Sequence, residues 1–185
     1  MRDDERLAAE LSDGELVERG RSGDDSALSV LVKRHHGSAY RMALSLVHDD
    51  DTAQDVVQNT FLKAFRALDG FRGDASFHTW LLTITANEAR GTLRKSGRIR
   101  ETTLDDAGPI RSEEMGPAEA VVISQESARA RRMMERLPEK QRMSLSLRID
   151  EGLSFKEIGE VIGSSEGAAR VNYFHGIRRL REFME

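Results

Sequence analysis

The chain contains no cysteine. That excludes disulfides, thiolate zinc sites and cysteine nucleophiles, and it fits a reducing compartment. Proline is scarce, with three in 185 residues. No apolar run approaches the ~18–20 residues of a membrane span. The N-terminal stretch MRDDERLAAELSDGELVERG is too acidic and too interrupted for a signal peptide. A soluble cytoplasmic protein without membrane insertion is the expectation. What the chain does have is charge. Charged residues make up 32% and hydrophobic residues 38%, which suits helices with heavily charged outer faces around a modest core. The length allows one domain or two small ones.

The formal net charge is −4, but it is unevenly placed. From Glu101 to Ser127 seven acidic residues face one arginine. From Asn87 to Arg100 five basic residues face one acid, and from Arg170 to Arg181 there are four arginines and no acid. Two basic patches are thus separated by an acidic segment, and the average conceals two candidate phosphate-facing surfaces.

Hydrophobic spacing gives the elements. Asp25 and Ser26 can cap a helix whose Leu28, Leu31, Val32, His35, Ala39 and Ala43 form one stripe. The HDDD run at 48–51 interrupts it. A second helix then starts near Thr52, with Ala53, Val57, Phe61, Ala64 and Leu68 on one face. LDGFRGDAS reads as a glycine-rich loop, and Ser76 can cap a helix that turns Phe77, Trp80, Leu81 and Ile84 inward. No strand alternation competes, so this half reads as a helical bundle. Periodicity is lost from about Ser96 to Glu126, where glycine, proline and acid accumulate, as in a flexible linker. It returns near Ser127, and Pro138 suits the first turn of a helix carrying Met143 and Leu147. The expected fold is therefore all-α. A bundle domain over 1–96 and a C-terminal helical domain over 127–185 are joined by an acidic linker over 97–126.

The C-terminal domain carries the sharpest signal. Ser154 and Glu157 have capping-box spacing, and Phe155, Ile158, Val161 and Ile162 supply an apolar face. Gly163 sits where a helix stop needs positive φ, and Ser165 can cap the next helix. On that helix Ala169, Tyr173, Gly176, Ile177, Leu180 and Met184 make one stripe. Arg170, Asn172, His175, Arg178 and Arg179 fall away from it, as do Val171 and Phe174. A capped first helix, a glycine turn and a basic second helix together define a helix-turn-helix. Its second helix fits the major groove, where arginine can grip guanine, asparagine can pair with adenine and an apolar group can touch a thymine methyl.

Here the chain resembles a known family. LPEKQRMSLSLRIDEGLSFKEIGEVIGSSEGAARVNYFHGIRRLRE is similar to the C-terminal DNA-binding region of bacterial sigma factors of the sigma-70 family. DTAQDVVQNTFLKAFRALDGFRGDASFHTWLLTITANEARGTLRK is similar to the centre of their N-terminal region. Two such regions joined by a linker resemble the extracytoplasmic-function (ECF) group. The resemblance implies a factor that binds bacterial core RNA polymerase, directs it to promoter DNA through −35 and −10 recognition, and promotes melting and initiation. It implies no catalytic residue, metal or cofactor, and it implies an anti-sigma protein as a further partner. A factor of this kind is associated with the nucleoid when bound to polymerase.

Site residues follow from the matching positions. For the polymerase clamp these are Asp55, Val56, Gln58, Phe61, Leu62, Lys63 and Arg66. Part of that helix must face inward, so Val57 and Ala64 read as core. Phe61 and Phe65 suit core and partner equally. For the −10 element the matching residues are Phe71, Arg72, Asp74 and Phe77 in and after the loop, then Asn87, Arg90, Arg94 and Lys95. Their task is to hold an unstacked base and its backbone. Trp80 reads as core by its stripe position. For the −35 element the residues are Ser165, Glu166, Ala168, Arg170, Val171, Asn172, His175, Arg178 and Arg179. The family often shows Gly-Thr-Val-Lys-Ser-Arg where this chain has GAARVN, so Val171 and Asn172 depart from the pattern. His175 and Gly176 stand where arginine and alanine are common. The −35 sequence read here is therefore not expected to follow a family consensus.

Two other function classes compete with this reading. An autonomous helix-turn-helix regulator would bind an operator tightly without polymerase. A nucleic-acid enzyme would need a constellation that is not evident. The His35–His36 pair points two ways on a helix, and the HDDD run reads as a solvated helix break.

Overall fold

In the computed structural model, residues 10–97 and 132–184 are described. All regular structure among them is helical. They fall into two compact units, one holding 10–97 and the other most of 132–184. The acidic linker, apart from Gly97, lies outside the described residues, as does the stretch from Ser127 to Arg131.

The first unit is built from α1 (Asp13–Arg21), α2 (Asp25–Val47), α3 (Asp50–Arg66), a short 3-10 turn (Leu68–Gly70) and α4 (Phe77–Lys95). Helix α1 was not anticipated. Its signal is the SDGE stretch: Ser12 and Glu15 form a reciprocal capping box, with Ser12 N–H donating to Glu15 Oε2 at 2.8 Å. Asp24, one residue before the expected cap, starts α2 by accepting from the backbone N–H of Ser26 and Ala27. His48 ends α2 in the left-handed region at φ 55°. Asp49 then caps α3 by accepting from Thr52 N at 2.8 Å. The acidic run is thus a hinge between two helices, and α3 begins two residues earlier than expected. Ser76 caps α4 as expected, accepting from Thr79 N at 3.0 Å.

The core of this unit is mostly aliphatic. Leu16, Leu31, Ala39, Val57, Ala64, Leu81, Leu82 and Ala86 are all buried. Two buried threonines return their hydroxyls to their own helices, Thr60 to Val56 O at 2.7 Å and Thr85 to Leu81 O at 2.9 Å. Among the described residues of this unit, no buried hydroxyl is left unpaired. Trp80 and Ile84 are half-buried rather than sealed in the core. Their stripe is displaced, because Thr79, Leu82 and Thr85 take the innermost face of α4.

Helix α1 is fastened by charge. His35 is buried, with Nε2 2.7 Å from Asp13 Oδ2, and Arg34 donates to Asp13 Oδ1 at 2.5 Å. Burial works to raise the Asp13 pKa, but the hydrogen bonds and charges of His35 and Arg34 outweigh it. The carboxyl therefore sits below its ordinary range. His35 is a structural ligand of Asp13, while His36 is exposed. No group of three or more metal-ligating side chains gathers among the described residues.

The second unit contains α5 (Glu139–Ile149), α6 (Phe155–Ile162) and α7 (Glu166–Met184). Pro138 occupies the N-cap position of α5, one residue before the first turn. Met143, Leu145 and Leu147 are buried on α5, and Ile158, Val161 and Ile162 on α6. Arg142 is buried too, and donates to Leu137 O at 3.2 Å and Glu135 O at 3.3 Å. Gly176 lets α7 close on α5, since a Cβ there would lie 2.7 Å from Leu145 Cδ1 and 3.3 Å from Gln141 O. The alanine common in the family has no room unless Leu145 moves.

Candidate nucleic-acid interface

Helices α6 and α7 form the anticipated helix-turn-helix. Ser154 N–H donates to Glu157 Oε2 at 2.9 Å, and Glu157 N–H donates back to Ser154 Oγ at 3.3 Å. Gly163 takes φ +69° at the turn. Gly159 is equally demanding, because a Cβ there would meet Ser164 O at 2.8 Å and Ser165 C at 3.1 Å. Ser165 Oγ accepts from Ala168 N at 3.2 Å and starts α7.

The outward face of α7 holds most of the expected residues. Ser165, Glu166, Arg170, Val171, His175, Arg178 and Arg179 are exposed, while Ala168 and Asn172 are half-buried. Some of these are already engaged. Arg170 reaches back one turn to Glu166 Oε1 at 3.0 Å, and Arg178 reaches Glu182 Oε1 at 3.2 Å. Both are exposed i,i+4 pairs of small worth, which an anion can displace. Asn172 is different. Its amide donates to the Ala168 carbonyl, one turn back on its own helix, at 2.9 Å. The expected adenine contact would first have to break that bond. One residue absent from the sequence-derived set belongs to this face: Phe174 is exposed beside Val171. Arg148 of α5 lays its guanidinium 5.1 Å from the Phe155 ring centre and donates to Leu153 O at 2.7 Å.

In the first unit the expected −10 residues divide. Arg72, Asp74, Asn87, Arg94 and Lys95 are exposed, and Arg90 is half-buried. Phe77 is only 2% exposed and belongs to the core, so it shapes the loop rather than touching a base. Phe71, half-buried, packs on Trp80 at 5.0 Å and edge-on to Phe77 at 6.0 Å. The loop is therefore rooted in three aromatic rings. It is also tied from α1. Arg21 donates to Leu68 O from Nε at 3.1 Å and from Nη2 at 3.0 Å, and its Nη2 also reaches Phe71 O. Arg21 was not singled out in the sequence, where nothing marks a lone arginine 50 positions from its partner.

The third surface is a groove of about 700 Å³ beside α3. Its lining includes Val32, His36 and Tyr40 from α2, and Asp55, Gln58, Leu62 and Phe65 from α3. Asp55, Gln58 and Leu62 recur at one-turn spacing on the outer face, and Leu62 is 49% exposed. One expected contact residue is corrected here: Val56 is 0% exposed and does not line the groove, because the inner face of α3 must close the bundle. Phe61 is only 6% exposed and packs in the core, with its remaining edge at the groove. Lys63 forms an ion pair with Glu88 of α4, and Arg66 is exposed.

A basic helix-turn-helix unit and a helical unit with an open apolar groove define a DNA-reading protein that also has a surface suited to another protein. The Sigma-70 region 2 family model matches residues 31–99, and the Sigma-70 region 4 model matches 127–180. RNA polymerase sigma-H factor of Pseudomonas aeruginosa is 35% identical over 181 residues, covering 94% of this chain and 92% of that protein. ECF RNA polymerase sigma-E factor of Escherichia coli is 36% identical over 187 residues, covering 97% and 95%. The structure of CnrH in complex with the cytosolic domain of CnrY matches with a TM-score of 0.69 at 26% identity, over 93% of this chain and 96% of that one. The sigma factor RpoE of Bartonella quintana, solved with the anti-sigma factor NepR, shares the fold at a TM-score of 0.62 and 23% identity, over 83% and 93%. The chain belongs to the sigma-70 family, in its ECF group. It is a promoter-specific transcription initiation factor, and the autonomous-regulator reading is not favoured.

Proposed function

We propose that the two units divide the work of promoter recognition. Helix α7 enters the major groove of the −35 element and reads it from Arg170, Val171 and their exposed neighbours. The 71–75 loop holds an unstacked base of the −10 element on its aromatic base, while Asn87, Arg90, Arg94 and Lys95 line the strand. The outer face of α3 docks core polymerase through Asp55, Gln58, Leu62, Lys63 and Arg66. An anti-sigma protein would block initiation by covering that same face. CnrH, a matched structure, is solved in complex with the cytosolic domain of CnrY, so a protein of this fold does take a protein partner. The chain adds no covalent chemistry of its own, since RNA synthesis belongs to polymerase. It works in the cytoplasm and travels to the nucleoid with the enzyme.

The observation that carries the reading is Leu62, 49% exposed at an aromatic-lined groove. An open groove with an exposed apolar residue and aromatic walls suits a protein partner. Leu62→Asp should leave helicity intact, because the side chain is already open to water. It should weaken capture of core polymerase by roughly tenfold or more, the worth of one central apolar anchor. A pull-down with purified core enzyme measures this, and undiminished capture would remove α3 from the polymerase interface.

A further inference from the structure

The recognition helix exposes apolar surface that its own fold does not use. Val171 is 53% exposed and Phe174 59%. They stand three residues apart on α7, so their side chains are neighbours on one face. His175 and Arg178 are exposed on the same side. The Phe174 ring is supported. It packs edge-on against Tyr173 at 5.3 Å and tilts toward Phe155 at 6.5 Å. Phe155 is in turn approached by the guanidiniums of Arg148 at 5.1 Å and Arg170 at 5.2 Å.

A supported apolar pair among cations suits a surface that is anionic at its rim and apolar at a point. The major groove has that character. Phosphates line it, and the thymine C5-methyl is the apolar group that base edges present there. The neighbouring amide does not compete for this position, because Asn172 bonds its own helix. Arg170 stays available, since its pair with Glu166 is exposed and weak.

We infer that Val171 and Phe174 act together as a thymine-reading pair, so the −35 sequence preferred by this chain carries thymine at one or two adjacent positions facing them. This rests on the placement of α7 in the −35 major groove. It concerns the two positions where the chain sets apolar groups off its core face, one of them a departure from the serine common in the family.

The test uses holoenzyme assembled from the full chain and bacterial core polymerase. A duplex pool randomised across both promoter elements is selected for binding. Each −35 thymine of the winning duplex is then replaced by deoxyuridine, which removes the methyl and nothing else. One or two positions should bind about fourfold more weakly with uridine, the worth of one buried methyl group. The other positions should not respond. In Val171→Ser or Phe174→Ala the thymine and uridine duplexes should bind alike. Both side chains are exposed, so neither change threatens the fold. Enrichment of a −35 sequence without thymine, or equal binding of uridine duplexes by the unaltered chain, overturns the inference and leaves −35 recognition standing. So does loss of core binding in either variant together with equal binding of thymine and uridine duplexes by the unaltered chain, which would make the pair a protein contact. If no −35 sequence is enriched at all, the placement of α7 fails, and the inference with it.

Discussion

At the scale of single residues, the clearest electrostatic device is Asp24. Its carboxylate accepts from the Ser26 hydroxyl at 2.6 Å, from the Ser26 and Ala27 amides, and from Arg19 Nε at 2.7 Å. The Ser26 hydroxyl leads these in pulling its pKa from the ordinary 3.8 down to about 2. A carboxyl whose pKa is depressed by folding stabilises the fold above its unfolded pKa. That stability is lost as pH falls through the folded value. Asp24→Asn keeps a capping oxygen but loses the charge. The variant should therefore be less stable than the unaltered chain at pH 6, and the gap should close between about pH 4 and pH 2. Denaturant titrations followed by the fluorescence of Trp80, the single tryptophan, measure the gap. A gap that stays constant down to pH 2 would show that the charge contributes nothing. Such residue-level roles were only partly legible in the sequence. Ser154, Gly163, Ser165 and Ser76 were readable because a cap or a turn demands a residue type at a fixed spacing. Val56 rests on family position alone, and burial overrides that for a side chain on the inward face. Phe61 and Phe77 lie on their helices' apolar stripes, so their burial was legible in the periodicity beside the family position. Asn172 was placed by its side-chain chemistry, and a local bond to Ala168 O takes up the donor.

At the scale of elements, α1 serves as a brace. It lies outside the stretch matched by the region 2 model, yet Arg21 on it holds the carbonyls of Leu68 and Phe71. Phe71 contacts Trp80 at 5.0 Å, so the tryptophan reports on that attachment. Arg21→Ala would leave two partly buried carbonyls without this charged donor, at a cost of about 1–3 kcal/mol. The expected result is more accessible Trp80 emission in acrylamide quenching, together with weaker opening of a duplex promoter. A pre-melted −10 template should be far less affected. Unchanged quenching and unchanged opening would reduce Arg21 to an incidental contact. Hydrophobic periodicity revealed α2, α3, α4 and the helix-turn-helix because each presents a stripe to a core. Helix α1 escaped because only Leu16 and Val17 of its nine residues are buried. What holds it is the Asp13 contact with Arg34 and His35, about twenty positions away. No local pattern encodes such a contact.

At the scale of the whole molecule, the question is how a chain of net charge −4 reads DNA. Two stretches carry basic side chains with no acid between them, α7 from Arg170 to Arg181 and the end of α4 from Arg90 to Lys95, and in the proposed reading each alone would bind phosphates weakly. Joining two weak modules raises affinity only when their spacing matches that of the sites. In this account polymerase supplies that spacing and most of the positive field. On the same reading, the acidity of the remainder would keep the free chain off nonspecific DNA. The measurement that tests this most directly is run-off transcription and promoter binding with the purified chain, core polymerase, or both, on one promoter template. The account predicts specific transcripts only when both are present, and little specific binding by the chain alone at physiological salt. Tight, sequence-specific binding by the chain alone, with no initiation when core polymerase is added, would contradict it.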